Sequence, residues 1–219
     1  MDKLATEKPI YTIPNYIYSF LLTNIYFLLS NILFIIVYLF MYLTPETTLF
    51  LFISLIPLGP SIGALLYSMG KLVREKEISP TKDYFTGYTK NFKLSFIFGL
   101  IQLIFIFVLM INSYIMGEQS ILSTFYLVLM ALVLIIGCYG FPILSRFDIA
   151  FKNLYLVSIY SVFKYWKRTL INIVGIALSL WLYIVYPVLS IFLLTSGLGF
   201  LLMFNLKNIL KQLEDGNFG

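Results

Sequence analysis

Uncharged apolar runs alternate along the chain with shorter polar segments. The runs cover residues 16–43, 49–70, 94–116, 121–144 and 170–206. A transmembrane helix needs about 20 consecutive apolar residues to cross a hydrocarbon core of about 30 Å. Each of the first four runs therefore predicts one tilted transmembrane helix.

The fifth run is too long for one ordinary span. Residues 170–206 contain no charge, and as one helix they would extend about 55 Å at about 1.5 Å per residue. The residue before a proline is disfavoured in helical geometry, so Tyr186-Pro187 predicts a boundary and two spans, 170–186 and 188–206. One long, steeply tilted helix is the alternative. The predicted fold class is all-α, a polytopic membrane helical bundle of about six transmembrane helices plus two interfacial amphipathic helices.

Positive charge is concentrated on two long connections. Loops 71–93 and 145–169 hold eleven of the fifteen Lys and Arg residues, and the tails hold the others. Because Lys and Arg are retained on the cytoplasmic side of a membrane, both long loops and both termini are predicted to be cytoplasmic. The predicted division is a cytoplasmic tail 1–15, a single transmembrane domain 16–206 and a cytoplasmic tail 207–219.

Each long loop also contains an amphipathic pattern. Around 81–92, Tyr84, Phe85, Tyr88 and Phe92 share one helical face, with Lys82, Asp83, Thr86 and Lys90 predicted to lie largely away from it. Ser79 is placed to cap this helix, with Pro80 at its first position. A comparable segment runs over 148–164. Residues 49–116 and 121–186 thus resemble two copies of a degenerate repeat in parallel topology.

Composition supports the membrane assignment and excludes several kinds of chemistry. Hydrophobic residues make up 60% of the chain and charged residues 11%, against about 25% charged in soluble domains. There is no histidine, and the single cysteine, Cys138, lies in an apolar run. Disulfide scaffolds, Cys/His zinc sites and histidine acid–base catalysis are therefore not expected. We expect no enzymatic activity and no cofactor.

A cluster of prolines and glycines interrupts the second run. Pro57 and Pro60 each remove a backbone donor, and Gly59 and Gly63 form a GxxxG pattern that lets another helix approach closely. A packed, kinked helix is the favoured interpretation. The alternative is an unwound binding site of the kind found in transporters.

Other polar positions near the membrane are few. The candidate intramembrane polar residues are Asn24, Asn31, Gln102, Asn172 and Ser179. Such side chains commonly form interhelical hydrogen bonds, so fold stabilisation is favoured over a polar solute path. Asp, Glu, Lys and Arg are absent from the predicted spans, which argues against a proton-driven transporter. A candidate interfacial ion pair involves Arg146, Asp148 and Lys152.

The order of four motifs carries a family resemblance. "PLGPSIGALLYSMGKLVREKE", "DYFTGYTKNFKLSFIFGL", "GFPILSRFDIAFKN" and "YWKRTL" resemble the bacterial YesL family, also described as domain of unknown function 624. The resemblance spans roughly 20–206 and is strongest over 57–95 and 141–170. It implies a bacterial plasma-membrane protein. Family genes often neighbour carbohydrate uptake systems, which implies an accessory role in sugar import or sensing.

Two functions are compatible with the sequence. The first is an accessory or scaffold protein for carbohydrate uptake or sensing, which docks through its basic loops. The second is a small permease whose broken second helix lies at the substrate path. The predicted partners are the lipid bilayer, with membrane transporter or signalling subunits and a second copy of the chain as candidates, and no nucleic acid.

Overall fold

The computed structural model describes residues 9–42, 44–117 and 120–216. The helices in these residues are α1 Pro9–Ser30, α2 Ile32–Phe40, α3 Pro45–Ser54, α4 Leu58–Glu75, α5 Pro80–Lys90, α6 Phe92–Met116, α7 Ile121–Arg146, α8 Phe151–Lys164, α9 Trp166–Val185 and α10 Pro187–Glu214. The described residues contain no strand, which confirms the all-α prediction. Residues 1–8 of the predicted tail, and Glu118 and Gln119, lie outside the described residues.

Within the described residues, five helical segments are long and apolar enough to cross a membrane. They are Thr47–Glu75, Phe92–Met116, Ile121–Arg146, Trp166–Val185 and Leu189–Glu214. The fifth apolar run forms two helices that meet at Tyr186, as the Tyr186-Pro187 pair predicts. The last helix continues past residue 206 to Glu214, so most of the predicted C-terminal tail is helical.

The first apolar run is not the single straight span predicted over 16–43. It bends by 67° between α1 and α2, and the pair counts as a sixth candidate span only if both parts are taken together. The bend occurs at Asn31, whose side chain turns back and donates to the Phe27 carbonyl at 2.8 Å. Side-chain bonds of this kind compete with regular helix geometry.

α1 crosses several neighbours instead of following one of them. Its middle part packs on α10, where the ring centroids of Phe20 and Phe200 are 5.4 Å apart. Its second half reaches α5, where Tyr26 lies 5.8 Å from Tyr84 and 5.3 Å from Phe85. α1 also contacts α4, which lies between them. The helix therefore covers one face of the bundle.

α4, α7 and α10 form the centre and run in the same direction. Leu65 of α4 lies beside Gly199 of α10, and Gly70 lies beside Met203, so residue numbers rise together along both helices. α6 is antiparallel to α4 and α7 alike. The fully buried large side chains lie mainly in the second halves of these central helices and on α5, α6 and α8: Met69, Leu72, Tyr84, Phe98, Tyr139, Leu144, Leu154, Leu206 and Leu210.

The core therefore lies near the end of the bundle where α4, α7 and α10 finish. That end carries Arg74, Arg146 and Lys211 in the last turns of the three helices, where positive charge is favourable. We call it the basic end.

The two predicted amphipathic segments are helical, as α5 and α8. α5 doubles back along α4, with Gly87 against the Tyr67 ring. The predicted faces of α5 need correction, because Asp83 is 4% exposed whereas Phe85 is 50% exposed. Asp83 is buried because it forms an ion pair with Lys71 on α4.

The two halves share one order of elements. A long helix ends at the basic end, a short helix folds back, and a single non-helical residue joins it to the next long helix. That residue is Asn91 in the first half and Tyr165 in the second, with φ, ψ of −118°, 29° and −105°, 42°. The matching linkers support the proposed repeat.

Topology reporters test the direction of threading. Fusions near Lys82, Lys164 and Lys211 are expected to report inside, and fusions at Thr47 and Gln119 outside, because loops rich in Lys and Arg are generally retained on the cytoplasmic side. A Lys211 fusion that reports outside would contradict two crossings by α9 and α10.

Spin labels test whether α5 lies at the membrane interface. A label at the half-buried Tyr88 is expected to be more lipid-exposed than one at the exposed Lys90. The reason is that aromatic side chains sit at headgroup depth while lysine reaches water. Full and equal water exposure at both positions would place α5 outside the interface.

Candidate functional site

The predicted break in the second span lies between α3 and α4. α3 ends at Ser54, and Pro57 immediately precedes α4. Pro60 falls in the first turn of α4, where backbone N–H groups have no acceptor within the helix, so its missing donor is tolerated. Both prolines therefore mark a helix start.

Gly59 and Gly63 face α6 at very short range. A β-carbon built on Gly59 would lie 2.5 Å from the Ser95 carbonyl oxygen and 3.1 Å from the Gly99 Cα. One built on Gly99 would lie 2.5 Å from the Gly59 Cα, and one on Gly63 would lie 2.8 Å from Ser95 Oγ. Small residues allow helix backbones to approach closely in membranes. The two glycines form the contact between α4 and α6.

Carbonyl groups at the break find partners nearby. The backbone N–H and Oγ of Ser61 donate to the Pro57 carbonyl at 3.2 and 2.7 Å. Ser54 Oγ donates to the Leu51 carbonyl at 2.6 Å. Since lipid supplies no substitute donor, such bonds are required in a membrane. This geometry favours packing over ligand binding for Pro57, Gly59, Pro60 and Gly63.

The predicted polar residues on the first run lie in separate environments. Asn24 is fully buried and donates through Nδ2 to the Ile191 carbonyl of α10. Asn31 lies at the α1–α2 bend. Sequence analysis did not single out Ser19 and Thr23, which are also fully buried on α1. Ser19 Oγ, Thr23 Oγ1 and the side-chain oxygens of both asparagines have no hydrogen-bond partner.

Asn172 belongs to a network between α9 and α10. Its Oδ1 accepts from Asn205 Nδ2 at 2.6 Å, and the same nitrogen donates to the Arg168 carbonyl at 2.9 Å. Arg168 in turn donates to Asn205 Oδ1 at 3.1 Å. Asn205 was not singled out from the sequence, although its amide inside the predicted span 188–206 was a usable signal. Ser179, by contrast, bonds within α9, to the Gly175 carbonyl.

Gln102 lines a cavity of about 330 Å³ between the helices. The cavity is bounded by residues of six helices: Phe27, Ile62, Leu65, Leu66, Leu134, Gly137, Cys138, Phe141, Pro142, Ile176, Thr195, Leu198, Gly199 and Leu202. Gln102 is 6% exposed, and its Nε2 has no hydrogen-bond partner. The cavity is thus apolar, with one unpaired amide nitrogen in its wall.

The candidate ion pair at the fourth span has a different partner. Arg146 bonds to Glu214 at the end of α10, which joins two central helices at the basic end. Asp148 is exposed in the connection before α8, and Lys152 is exposed in the first turn of α8. Among the described residues the pair is therefore Arg146–Glu214, because α10 extends beyond its predicted end and brings an acid alongside.

A second ion pair joins α4 to α5. Lys71 Nζ lies 2.7 Å from Asp83 Oδ1, and the Ser79 backbone N–H donates to Asp83 Oδ2 at 2.9 Å. Asp83, instead of the Ser79 side chain, therefore satisfies a backbone donor at the start of α5. Next to it, burial raises the pKa of Tyr84 to about 12, and its hydroxyl donates to Ser30 Oγ at 3.0 Å.

The described residues contain no group of three or more Cys, Asp or Glu side chains that could hold a metal ion.

Comparison with known proteins gives one family match. Residues 20–113 match the model described as "Protein of unknown function, DUF624". The matched segment, less than half of the chain, is a DUF624 domain. The match runs from α1 into α6, so the domain includes the helix break and α5. No curated protein and no solved structure gives a match. The chain is a multi-span membrane protein with a DUF624 domain, and the resemblance over 141–170 stays a prediction.

Proposed function

We propose that this DUF624 protein is a non-catalytic accessory or scaffold component of a membrane complex, docked through its basic end. The observation that carries the proposal is the closed contact between Gly59 and Gly99. The break in the second span is filled by α6, and a β-carbon at either glycine would meet the backbone of the other helix. A substrate path at this break would require the two helices to separate.

The basic end suits protein docking. Arg74, Glu75, Lys76 and Glu77 are exposed around the end of α4, and Lys152 is exposed on α8. The short helices beneath these charges are fixed by the Lys71–Asp83 pair and by the buried core. A rigid platform loses little conformational freedom on binding, which favours association. The family resemblance supports a carbohydrate uptake or sensing complex as the setting.

Purification from native membranes tests this function. The wild-type protein is expected to retain a transporter or signalling subunit in fixed stoichiometry. Lys76→Gln with Lys152→Gln is expected to lose that subunit while the protein itself remains folded, because both side chains are exposed. Tyr114→Gln, at the exposed far end of α6, is the matched control. A subunit retained equally by the basic-end variant would contradict docking at this surface.

A small permease is the second candidate. The observation that favours it is a set of unpartnered oxygens, from Ser19, Thr23 and Asn24 on α1 and from Asn31 at the bend after it. Polar groups left unpaired inside a membrane bundle are costly and are typical of substrate or ion paths. Solute uptake by the purified protein alone in liposomes would support this candidate and count against the scaffold proposal.

A further inference from the structure

The cavity beside Gln102 combines an apolar wall with one isolated donor. Its lining comes from α1, α4, α6, α7, α9 and α10, so it lies between these helices, and it is partly open beside the exposed Leu134. Its volume of about 330 Å³ falls at the lower end of the range of about 300–1,000 Å³ for small-molecule sites. Space of this size between membrane helices can hold a compact apolar molecule.

The donor is a second, independent feature of the site. Gln102 is more than nine-tenths buried, and Nε2 makes no hydrogen bond. Buried polar groups without partners are uncommon, since each gives up bonds to water without replacing them. Nε2 itself has almost no accessible surface, so a ligand's acceptor would complete the pairing once the amide rotates toward the cavity.

The lining also excludes several ligand classes. No Asp, Glu, Lys or Arg lines the cavity, so an ion would be buried without a counter-charge. A sugar would present several hydroxyl groups to walls that offer few polar partners, chiefly Gln102 and Thr195. A ligand with one hydrogen-bond acceptor on an otherwise apolar molecule would match the apolar lining and the single amide of Gln102.

We propose that this cavity binds a neutral, predominantly apolar molecule with one hydrogen-bond acceptor, a ketone, ester or ether oxygen that accepts from Gln102 Nε2. The site is independent of docking at the basic end. It would provide a lipophilic ligand site within the membrane part of the bundle.

Photolabelling with benzophenone tests the site, because this probe is neutral, apolar and carries one carbonyl. Adducts are mapped by mass spectrometry on the intact protein in lipid nanodiscs. We expect labelling of cavity residues such as Cys138 and Ile176. Dicyclohexyl ketone should compete about two- to tenfold better than dicyclohexylmethane, the span expected for one hydrogen bond.

Two variants distinguish the contribution of the Gln102 amide from that of the cavity volume. Gln102→Leu removes the amide at similar size and is expected to abolish the preference for the ketone. Cys138→Phe fills the cavity and should remove adducts there, while Val128→Phe, on the lipid-facing side of the same helix, should keep them. Thermal melting of each variant shows whether it is folded.

The wild-type competition decides the proposal even if a variant fails to fold. Equal competition by ketone and hydrocarbon in the wild-type protein would overturn it. Adducts confined to lipid-facing residues would overturn it too. Repeating the competition in ester-linked and ether-linked lipid nanodiscs identifies the source of the ligand. Weaker ketone competition in ester lipids indicates that a lipid ester carbonyl already occupies the site, and equal competition indicates that the lipid carbonyl is not the ligand.

Discussion

Gly59→Ala is expected to destabilise the folded protein by about 1–3 kcal/mol, the usual cost of overpacking a well-packed core. The added methyl group would lie 2.5 Å from the Ser95 carbonyl oxygen, which belongs to the α6 backbone. Backbone cannot rotate away as the end of a side chain can, so α4 and α6 must separate. Gly59→Leu should extend this loss to the amount of folded protein recovered. Unfolding in mixed micelles measures the first effect, and gel filtration measures the second.

Gly175→Ala provides the matched control. Gly175 also lies within a helix, and a β-carbon there meets nothing within 4 Å. Gly→Ala gains about 1 kcal/mol of helix propensity in a helix interior such as that around Gly175. Gly59 lies in the first turn of α4, where this gain is smaller, so a net loss there reports the clash. We expect Gly175→Ala to be neutral or stabilising. Equal stability of the two variants would show that α4 and α6 do not touch at Gly59.

The contact also predicts non-additivity. Gly99→Ala places a methyl group 2.5 Å from the Gly59 Cα, so it opens the same gap from the opposite helix. Once one substitution has separated the helices, the second costs less, and the double variant should lose less stability than the two single losses combined. This coupling distinguishes helix separation from two unrelated local defects.

Much of the architecture follows from local sequence. Runs without charge mark the long helices, and the Tyr186-Pro187 boundary divides the last run, because both signals act within a few residues. The bend at Asn31 had no comparable signal. Its surroundings, "LLSNILFIIVYLF", contain neither proline nor glycine, and the bend depends on one asparagine bonding backward to Phe27.

The candidate site was less predictable because its parts are distant in sequence. Gln102 could be selected as an amide in an apolar run, yet the cavity beside it needs six helices brought together. The unpaired hydroxyl groups of Ser19 and Thr23 could not be predicted, since hydroxyl side chains in membrane helices usually bond within their own helix. Asp83 was placed on the outer face because it is charged, and only Lys71, on α4, explains its burial.

Asp83→Asn is expected to lower stability by about 1–3 kcal/mol, the cost of leaving buried polar groups without partners. The carboxylate accepts from Lys71 Nζ through one oxygen and from the Ser79 N–H through the other. An amide has only one oxygen, so one of these donors would face an NH₂ group. Lys71 Nζ also lies 3.8 Å from Glu75 Oε2, a weaker ion pair that could partly replace the one with Asp83. Glu75 does not supply an acceptor for the Ser79 N–H, so that donor would lose its partner.

Asp148→Asn is the control, because this substitution removes the same charge from an exposed position in the connection before α8. Hydrogen exchange gives the local readout. Since Asp83 joins the start of α5 to α4, Asp83→Asn should reduce amide protection in α5 while the helices α6 and α7 keep theirs. Loss of protection throughout the bundle would show that the pair supports the whole core. Unchanged protection in α5, with stability matching that of Asp148→Asn, would show that the bonds from Asp83 do not hold α5 against α4.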